Sequence, residues 1–197
     1  MKFRKMPRTE LVLSEVGFGV WTVATNWWGK IEDADKKALL ENAVEEGINF
    51  FDTADTYGDG LGEEILAEVL GHKRNEIIIG TKFGMTMGQE PNMIGGSRRH
   101  MMAMVEGSLK RLQTDYIDLY QYHNARLNVI QREDTLGALE DLKAQGKIRH
   151  YAVAVGPDIG WREEGLYTIS ERGIPAQLIY SILEQAPADV MIEAAEK

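Results

Sequence analysis

The chain has 197 residues, of which 44% are hydrophobic and 27% charged, the composition of an ordinary globular protein with one substantial core. Its net charge of −9 argues against a nucleic-acid partner, because such a partner is bound by clustered lysine and arginine. The absence of cysteine excludes disulfides and thiolate metal sites. The sequence shows no signal peptide and no apolar run of the ~20 residues that cross a bilayer. Together these features predict a cytoplasmic protein that does not enter a membrane.

The first fifty residues predict a hairpin, a strand, an aromatic loop and a helix. Residues 3–13 alternate loosely around a turn-like cluster, which is typical of a small β-hairpin. Residues 15–21 have the pattern of a buried strand, with glycines that permit close backbone approach. Trp27 and Trp28 follow in a loop, where aromatic rings either pack or form a pocket wall. Residues 33–46 have apolar side chains at helical spacing, and a glycine ends the helix.

From residue 48 onward, predicted strands and helices alternate without another hairpin, so the sheet should be parallel. Residues 83–96 are predicted to be a long loop. Corresponding points near the strand ends recur about every 30 residues, the period of a (β/α)8 TIM barrel. We therefore expect an α/β fold with one domain over residues 1–197, which contains six units where a full barrel has eight. The predicted strands are 48–53, 76–82, 116–123, 148–155 and 176–180, and the predicted helices are 62–70, 97–112, 136–146, 159–172 and 187–197.

Ionisable side chains stand at three successive strand ends. Asp52 is followed closely by Tyr57, and the next two strands end at Lys82 and His123. Parallel strands present their carboxyl ends on one face of a barrel, so these side chains can converge. An ammonium stabilises a phenolate, a carboxylate keeps the ammonium charged, and a histidine can hydrogen-bond a carbonyl oxygen. Such a group could protonate an oxygen that is becoming an alkoxide, although each residue alone is more often structural.

Two other interpretations of this region are weaker. The glycines at 58, 60 and 62 imitate a dinucleotide fingerprint, but Glu63 takes the place of its third glycine and would repel a pyrophosphate. Asp52, Asp55 and His123 lack the paired-histidine spacing of a metal site, so no metal is predicted. Asp55 is interpreted as a loop residue without a chemical role.

Three segments together resemble the aldo-keto reductases: Phe-Asp-Thr-Ala-Asp-Thr-Tyr-Gly at 51–58, Thr-Lys at 81–82, and the strand with its flanks at 115–124. The resemblance extends over essentially the whole chain. It implies a (β/α)8 barrel with an N-terminal hairpin and the reduction of a small aldehyde or ketone by hydride from NADPH, with NADH as an alternative. It also implies that Tyr57 is the general acid/base, assisted by Lys82 and its ion-pair partner Asp52, while His123 orients the substrate carbonyl.

The resemblance also implies where cofactor and substrate bind. The matching cofactor positions are Gly19, Val20, Trp21, Asp52 and Gln177, and the substrate pocket is expected from Trp21, Trp27, Trp28, Tyr57 and His123. Many members carry Ser-Asn after the fifth strand, where this chain has Ala154 and Val155. The family's seventh and eighth strands, which grip the nicotinamide ring and the 2′-phosphate, have no counterpart in these residues.

Two alternatives to an active reductase remain. The chain could be a non-catalytic, cofactor-binding regulatory member of the fold, as in the cytosolic channel-subunit relatives, or an inactive truncated remnant. A barrel that is open after six strands has two unpaired edges. This predicts that copies of the chain associate through those edges as a homo-oligomer.

Overall fold

The computed structural model describes residues 1–84, 98–156 and 161–196. An antiparallel hairpin opens the chain, formed by β1 (Phe3–Lys5) and β2 (Val12–Ser14). Six strands then form one parallel sheet in chain order, which curls into part of a barrel. The predicted α/β fold of TIM-barrel type with an N-terminal hairpin is confirmed. These six strands are β3 (Phe18–Gly19), β4 (Phe50–Asp52), β5 (Ile78–Phe83), β6 (Ile117–His123), β7 (Ile148–Ala154) and β8 (Ala176–Gln177).

Helices connect successive strands, as the alternating pattern predicts. Within the described ranges, none of them is both long and apolar enough to span a bilayer. The helix Arg162–Leu166 continues as a π-helical turn, Tyr167–Glu171, and both lie inside the segment 159–172 that is predicted as one helix. The helices are α1 (Trp21–Ala24), α2 (Asp33–Glu45), α3 (Leu61–Leu70), α4 (Arg98–Leu112), α5 (Leu127–Ile130), α6 (Glu133–Ala144), α7 (Arg162–Leu166) and α8 (Ala188–Ala195).

The two edge strands are shorter than predicted. The strand predicted over 15–21 is confined to Phe18–Gly19, and Trp21 begins helix α1 instead of ending a strand. The strand predicted over 176–180 ends at Gln177. Each edge strand pairs with one neighbour only, so fewer ladder hydrogen bonds extend it. The predicted loop at 83–96 lies outside the described residues from 85 onward, and so does the predicted start of helix α4 at Ser97.

The core lies between the central strands and the helices that cover them. Strands β5 and β6 are buried along almost their whole length, which is typical of parallel strands covered on both faces. Phe83 stacks on Tyr120 with ring centroids 4.2 Å apart, and both side chains are fully buried. Helices α3 and α4 pack on the outer face through Leu66 and Val105. Because neighbouring residues of a strand face opposite ways, the sheet has two distinct polar surfaces at its carboxyl end.

A charged clamp joins β5, β6 and β7 at the opposite, amino-terminal end of the sheet. The fully buried carboxylate of Asp118 pairs with Arg74 at 2.8 Å and with Arg149 at 2.9 Å. It also accepts a hydrogen bond from the Ile79 main chain at 3.0 Å. Both guanidinium groups lie 4.0 Å from the ring centroid of Tyr116, a cation–π arrangement. The clamp fixes the register of three adjacent strands.

Apolar side chains are exposed just after the β8 edge. Ile182 and Leu183 are 92% and 97% exposed, and Ile179 and Tyr180 are about half exposed. Exposed apolar groups beside an open sheet edge are typical of surfaces that associate. Homo-oligomer formation through these edges stays a prediction.

Candidate active site

The carboxyl ends of β4, β5 and β6 bring the four predicted catalytic side chains together. Asp52 ends β4, Lys82 is the penultimate residue of β5, and His123 ends β6. The parallel register pairs Asp52 with Gly80 and Lys82 with Gln121. Tyr57 lies in the loop between β4 and α3, which returns across the same strand ends.

Two glycines shape the loop that carries Tyr57. Gly58 has a φ of +61°, and a Cβ there would lie 2.3 Å from the carbonyl oxygen of Ala24. At Gly62 in α3, a Cβ would lie 2.5 Å from the Thr53 hydroxyl. Only glycine permits both approaches. The loop therefore passes closely between α1 and the end of β4, and this holds the Tyr57 ring near the strand ends.

The Lys82 ammonium is the centre of the site. It donates to Asp52 Oδ2 at 2.6 Å and to the Thr53 carbonyl at 2.9 Å. Its third contact is the Tyr57 hydroxyl at 3.3 Å. Lys82 is only 3% exposed, so burial would be costly without these partners. The arrangement directs a fixed positive charge at a phenol that is itself half-buried and reachable from solvent.

Asp52 is held by two amides in addition to Lys82. Its Oδ1 accepts from Gln121 Nε2 at 3.3 Å and from Gln177 Nε2 at 3.2 Å. Sequence analysis missed Gln121, although its register position beside Lys82 places both side chains on the same face of the sheet. The amides leave the carboxylate oriented toward the ammonium.

His123 contacts Tyr57 edge to face, with ring centroids 5.8 Å apart and planes at 80°. Burial, and secondarily the charge of Lys82, lower the pKa of His123 to about 3. The imidazole is therefore neutral at physiological pH and can donate one hydrogen bond. Its Nδ1 is buried without a partner among the described residues.

The other predicted residues surround this group. Gly19 is exposed at the end of β3, with open space where a side chain would be. The Val20 amide donates to the Asp52 carbonyl at 2.9 Å. Trp21 contacts Trp27 and Trp28, with ring centroids 5.7 and 6.2 Å apart, and these two rings are 74% and 71% exposed. An aromatic surface therefore lies on the loop after β3.

A second polar group lies behind the site, between the sheet and the helices. We call it the rear cluster: Asp55, Glu63, Thr81, Arg111 and Tyr120. Asp55 belongs to the loop, as the sequence predicts, but it is 92% buried, and neither carboxylate oxygen has a hydrogen-bond partner in the described part of the chain. Hydrophobic patterning carries no signal for such a residue, because the loop around it has neither strand nor helix periodicity.

The residues present fit the nicotinamide end of a dinucleotide. The Gln177 amide is partly exposed beside Asp52, where it can hydrogen-bond a carboxamide. The open end of β3 at Gly19 leaves room for a ring. No group of three histidine and acidic side chains suited to a metal ion occurs in residues 1–84, 98–156 and 161–196.

Sequence comparison relates the chain to one family. The model of the Aldo/keto reductase family matches residues 15–195. The Bacillus subtilis (strain 168) protein "Uncharacterized oxidoreductase YqkF" is 37% identical over 158 residues, which are 78% of this chain and 49% of that protein. A "Probable voltage-gated potassium channel subunit beta" of Oryza sativa subsp. japonica is 36% identical over 126 residues, 62% of this chain and 37% of that one.

Comparison with solved structures indicates the same family. The "aldo-keto reductase AKR11C1 from Bacillus halodurans (holo form)" superimposes with a TM-score of 0.79 and 32% identity. The match covers 99% of this chain and 64% of that one. The chain thus spans about half the length, or less, of the curated relatives described above, and under two thirds of this structure.

Proposed function

Because the chain belongs to the aldo/keto reductase family, we propose that it carries the catalytic part of a reductase that converts an aldehyde or ketone to an alcohol. The observation that supports this most is the Lys82 ammonium, which contacts both Asp52 Oδ2 and the Tyr57 hydroxyl. A phenol with a fixed cation beside it is a general acid for an oxygen that gains negative charge.

In this proposal Tyr57 donates the proton. The carbonyl oxygen receives the hydroxyl proton of Tyr57 while the carbonyl carbon receives a hydride, so the C=O double bond becomes C–H and O–H. Lys82 stabilises the phenolate that remains, and Asp52 keeps the ammonium in place. Solvent returns the proton to Tyr57, whose ring is only half-buried.

His123 orients the substrate. Its neutral imidazole, with the edge-to-face contact to Tyr57, can donate to the same carbonyl oxygen that Tyr57 protonates. Two hydrogen bonds to one oxygen align the carbonyl group, and both become stronger as negative charge develops on that oxygen. The aromatic surface formed by Trp21, Trp27 and Trp28 favours a substrate with an apolar or planar part.

A reduced nicotinamide dinucleotide, NADPH or NADH, supplies the hydride when bound. Gln177, Asp52 and the open strand end at Gly19 are the residues we propose to hold its carboxamide and ring. We assign no basic residue to a 2′-phosphate at this site in the described ranges. The experiment below therefore compares NADPH with NADH.

The test is Tyr57→Phe, which removes one oxygen and keeps the ring. Oxidation of NADPH and NADH is followed with a panel of small aldehydes and ketones, and cofactor affinity is titrated separately. We expect turnover to fall by roughly 10²–10⁴ while cofactor affinity changes little. Tyr116→Phe, in the clamp at the far end of the sheet, is the matched control and should keep full turnover. Unchanged turnover in Tyr57→Phe would contradict the assignment.

A regulatory role is the second candidate, favoured by the similarity to the potassium channel subunit of Oryza sativa. It predicts that the chain binds the dinucleotide but turns over none of the carbonyl compounds. Absence of both binding and turnover would instead support an inactive remnant. The same titration and activity panel therefore distinguishes an active reductase, a regulatory protein and an inactive remnant.

A further inference from the structure

The rear cluster contains a carboxyl group for which the proposed mechanism has no use. Asp55 stands two residues before Tyr57 in the same loop, and its amide donates to the Lys82 carbonyl at 3.2 Å. Its main chain is therefore tied to the residue that holds the Tyr57 hydroxyl. Its side chain faces the opposite way, into the layer between the sheet and helices α3 and α4.

Three other members of the rear cluster, Glu63, Thr81 and Arg111, already satisfy one another. Glu63, which is fully buried, accepts from the Thr81 hydroxyl at 2.6 Å and from Arg111 Nε at 2.6 Å. Both of its oxygens are therefore in use, and its charge is balanced by Arg111. A second ionised carboxylate in this layer would have no cation of its own, and burying an unpaired charge is costly.

Asp55 and Tyr120 are the unsatisfied members. Neither Asp55 oxygen nor the Tyr120 hydroxyl finds a hydrogen-bond partner among the described residues, and Tyr120 is fully buried. A proton on Asp55 removes the unpaired charge and turns one of its oxygens into a donor, for which a hydroxyl is a suitable acceptor. The charged and titratable groups that face Asp55 are Glu63 from α3, Arg111 from α4 and Tyr120 from β6.

We propose that Asp55 is a proton-binding positioning residue: as a neutral acid it completes the rear cluster and holds the Tyr57 loop against the strand ends, and its ionisation loosens that loop. This inference rests on the proposed function only for its effect on turnover. Burial, and secondarily the negative charge of Glu63, raise the pKa of Asp55 to about 7, against smaller opposing effects of Arg111 and of the Thr56 and Asp55 amides, so the change falls near neutrality.

The first experiment needs no activity. Infrared spectra of the full chain are recorded from about two pH units below neutrality to about two above. The spectrum of Asp55→Asn is subtracted from that of the wild type, which cancels the other carboxyl groups, and in the difference we expect the carbonyl band of a protonated carboxylic acid below neutrality and its loss above. Asp59→Asn, an exposed aspartate in the same loop, is the matched control and should keep the band. A difference spectrum that lacks the band below neutrality, or that does not change with pH, overturns the proposal.

The second experiment measures the loop itself. Amide hydrogen exchange at residues 53–58, corrected for its intrinsic pH dependence, should become about tenfold faster in the wild type as Asp55 ionises. It should stay slow in Asp55→Asn, whose amide imitates the neutral acid. Equal pH dependence in both proteins overturns the positioning role, whether or not the chain turns over a substrate.

Two further measurements complete the test. If Asp55→Asn does not fold, Glu63→Gln replaces it: removal of the like charge should move the infrared midpoint down by about one pH unit or more, and an unchanged midpoint contradicts the proposal. Where turnover is observed, the kcat of Asp55→Asn should equal that of the wild type below neutrality and exceed it above, with KM unchanged. A constant ratio of the two kcat values contradicts coupling to Tyr57.

Discussion

Two polar groups share the carboxyl end of this sheet, and they differ in how their charges are matched. On the inner face, Lys82 has one carboxylate partner, two further oxygen contacts and an opening to solvent through Tyr57. In the rear cluster two carboxyl groups, Asp55 and Glu63, are buried beside one arginine, which pairs with Glu63 only. In our proposals the inner group, formed by Asp52, Tyr57, Lys82 and His123, transfers a proton to a substrate, whereas the rear cluster retains one. Chemistry and stability are therefore divided between two faces of the same strands.

The largest expected difference between the inner group and the rear cluster comes from removing their cations, Lys82 and Arg111. Lys82→Met removes the charge beside Tyr57, so turnover should fall by roughly 10²–10⁴. Asp52 keeps its hydrogen bonds from Gln121 and Gln177, and it is partly exposed, so the chain should still fold. Steady-state kinetics and urea unfolding measure the two effects. A Lys82→Met protein with wild-type kcat would show that the inner group is structural.

Arg111→Met makes the corresponding change in the rear cluster. It leaves the fully buried Glu63 carboxylate without a cation, so the free energy of unfolding should fall by about 3 kcal/mol. Cofactor affinity should be unaffected. Arg132→Met is the matched control, because its pair with Asp134 is half exposed on both sides and is worth less than about 1 kcal/mol. Equal losses in the two variants would contradict the distinction.

The two faces should also respond to pH in opposite directions. The folded state keeps His123 neutral, with a pKa of about 3 against 6.5 when unfolded, so unfolding takes up a proton and stability is lost as pH falls below 6.5. The folded state keeps Asp55 protonated, with a pKa of about 7 against 3.8, so unfolding releases a proton and stability is lost as pH rises from 3.8 to about 7. Each slope reaches about 1.4 kcal/mol per pH unit.

In the wild type these slopes offset each other between roughly pH 4 and 6.5. Urea unfolding across this range should therefore give a wild-type profile that lies between those of Asp55→Asn and His123→Asn. In Asp55→Asn the free energy of unfolding should rise with pH, in His123→Asn it should fall, and Asp59→Asn should behave like the wild type. Parallel profiles in the first two variants would show that the groups do not titrate as their burial indicates.

The smallest effects concern single hydrogen bonds. Gln121→Met removes one bond to Asp52 on the inner face, and Thr81→Val removes one bond to Glu63 in the rear cluster. Each change is worth about 1 kcal/mol. We expect it to appear as a loss of about tenfold or less in turnover for Gln121→Met, and as lower stability with normal turnover for Thr81→Val. The reverse assignment would contradict the division between the two faces.

The inner group is close to what the sequence predicts, because Asp52, Lys82 and His123 stand at the ends of strands whose apolar patterns are unambiguous. Gln121 and the rear cluster are not predicted, since they depend on strand register and on which face each side chain takes. Asp55 is the clearest case: a polar residue in a polar loop has no periodicity, and its burial follows from the packing of α3 and α4. The sequence also predicts the two edge strands, β3 and β8, to be longer than they are. Their length is decided by pairing with a neighbouring strand, which the local apolar pattern does not reveal.

The charged clamp around Asp118 has a consequence for the way this fold diversifies. It joins three strands at the end opposite the candidate site, so the alignment of those strands is supported independently of the loops at the carboxyl end. Loops at the carboxyl end can therefore be exchanged between relatives, in nature or by grafting, without disturbing the alignment of the strands. A chain with this clamp and a foreign loop after β3 should keep Asp52, Lys82 and His123 in place, and under the proposed function it should differ only in the carbonyl compounds that it accepts.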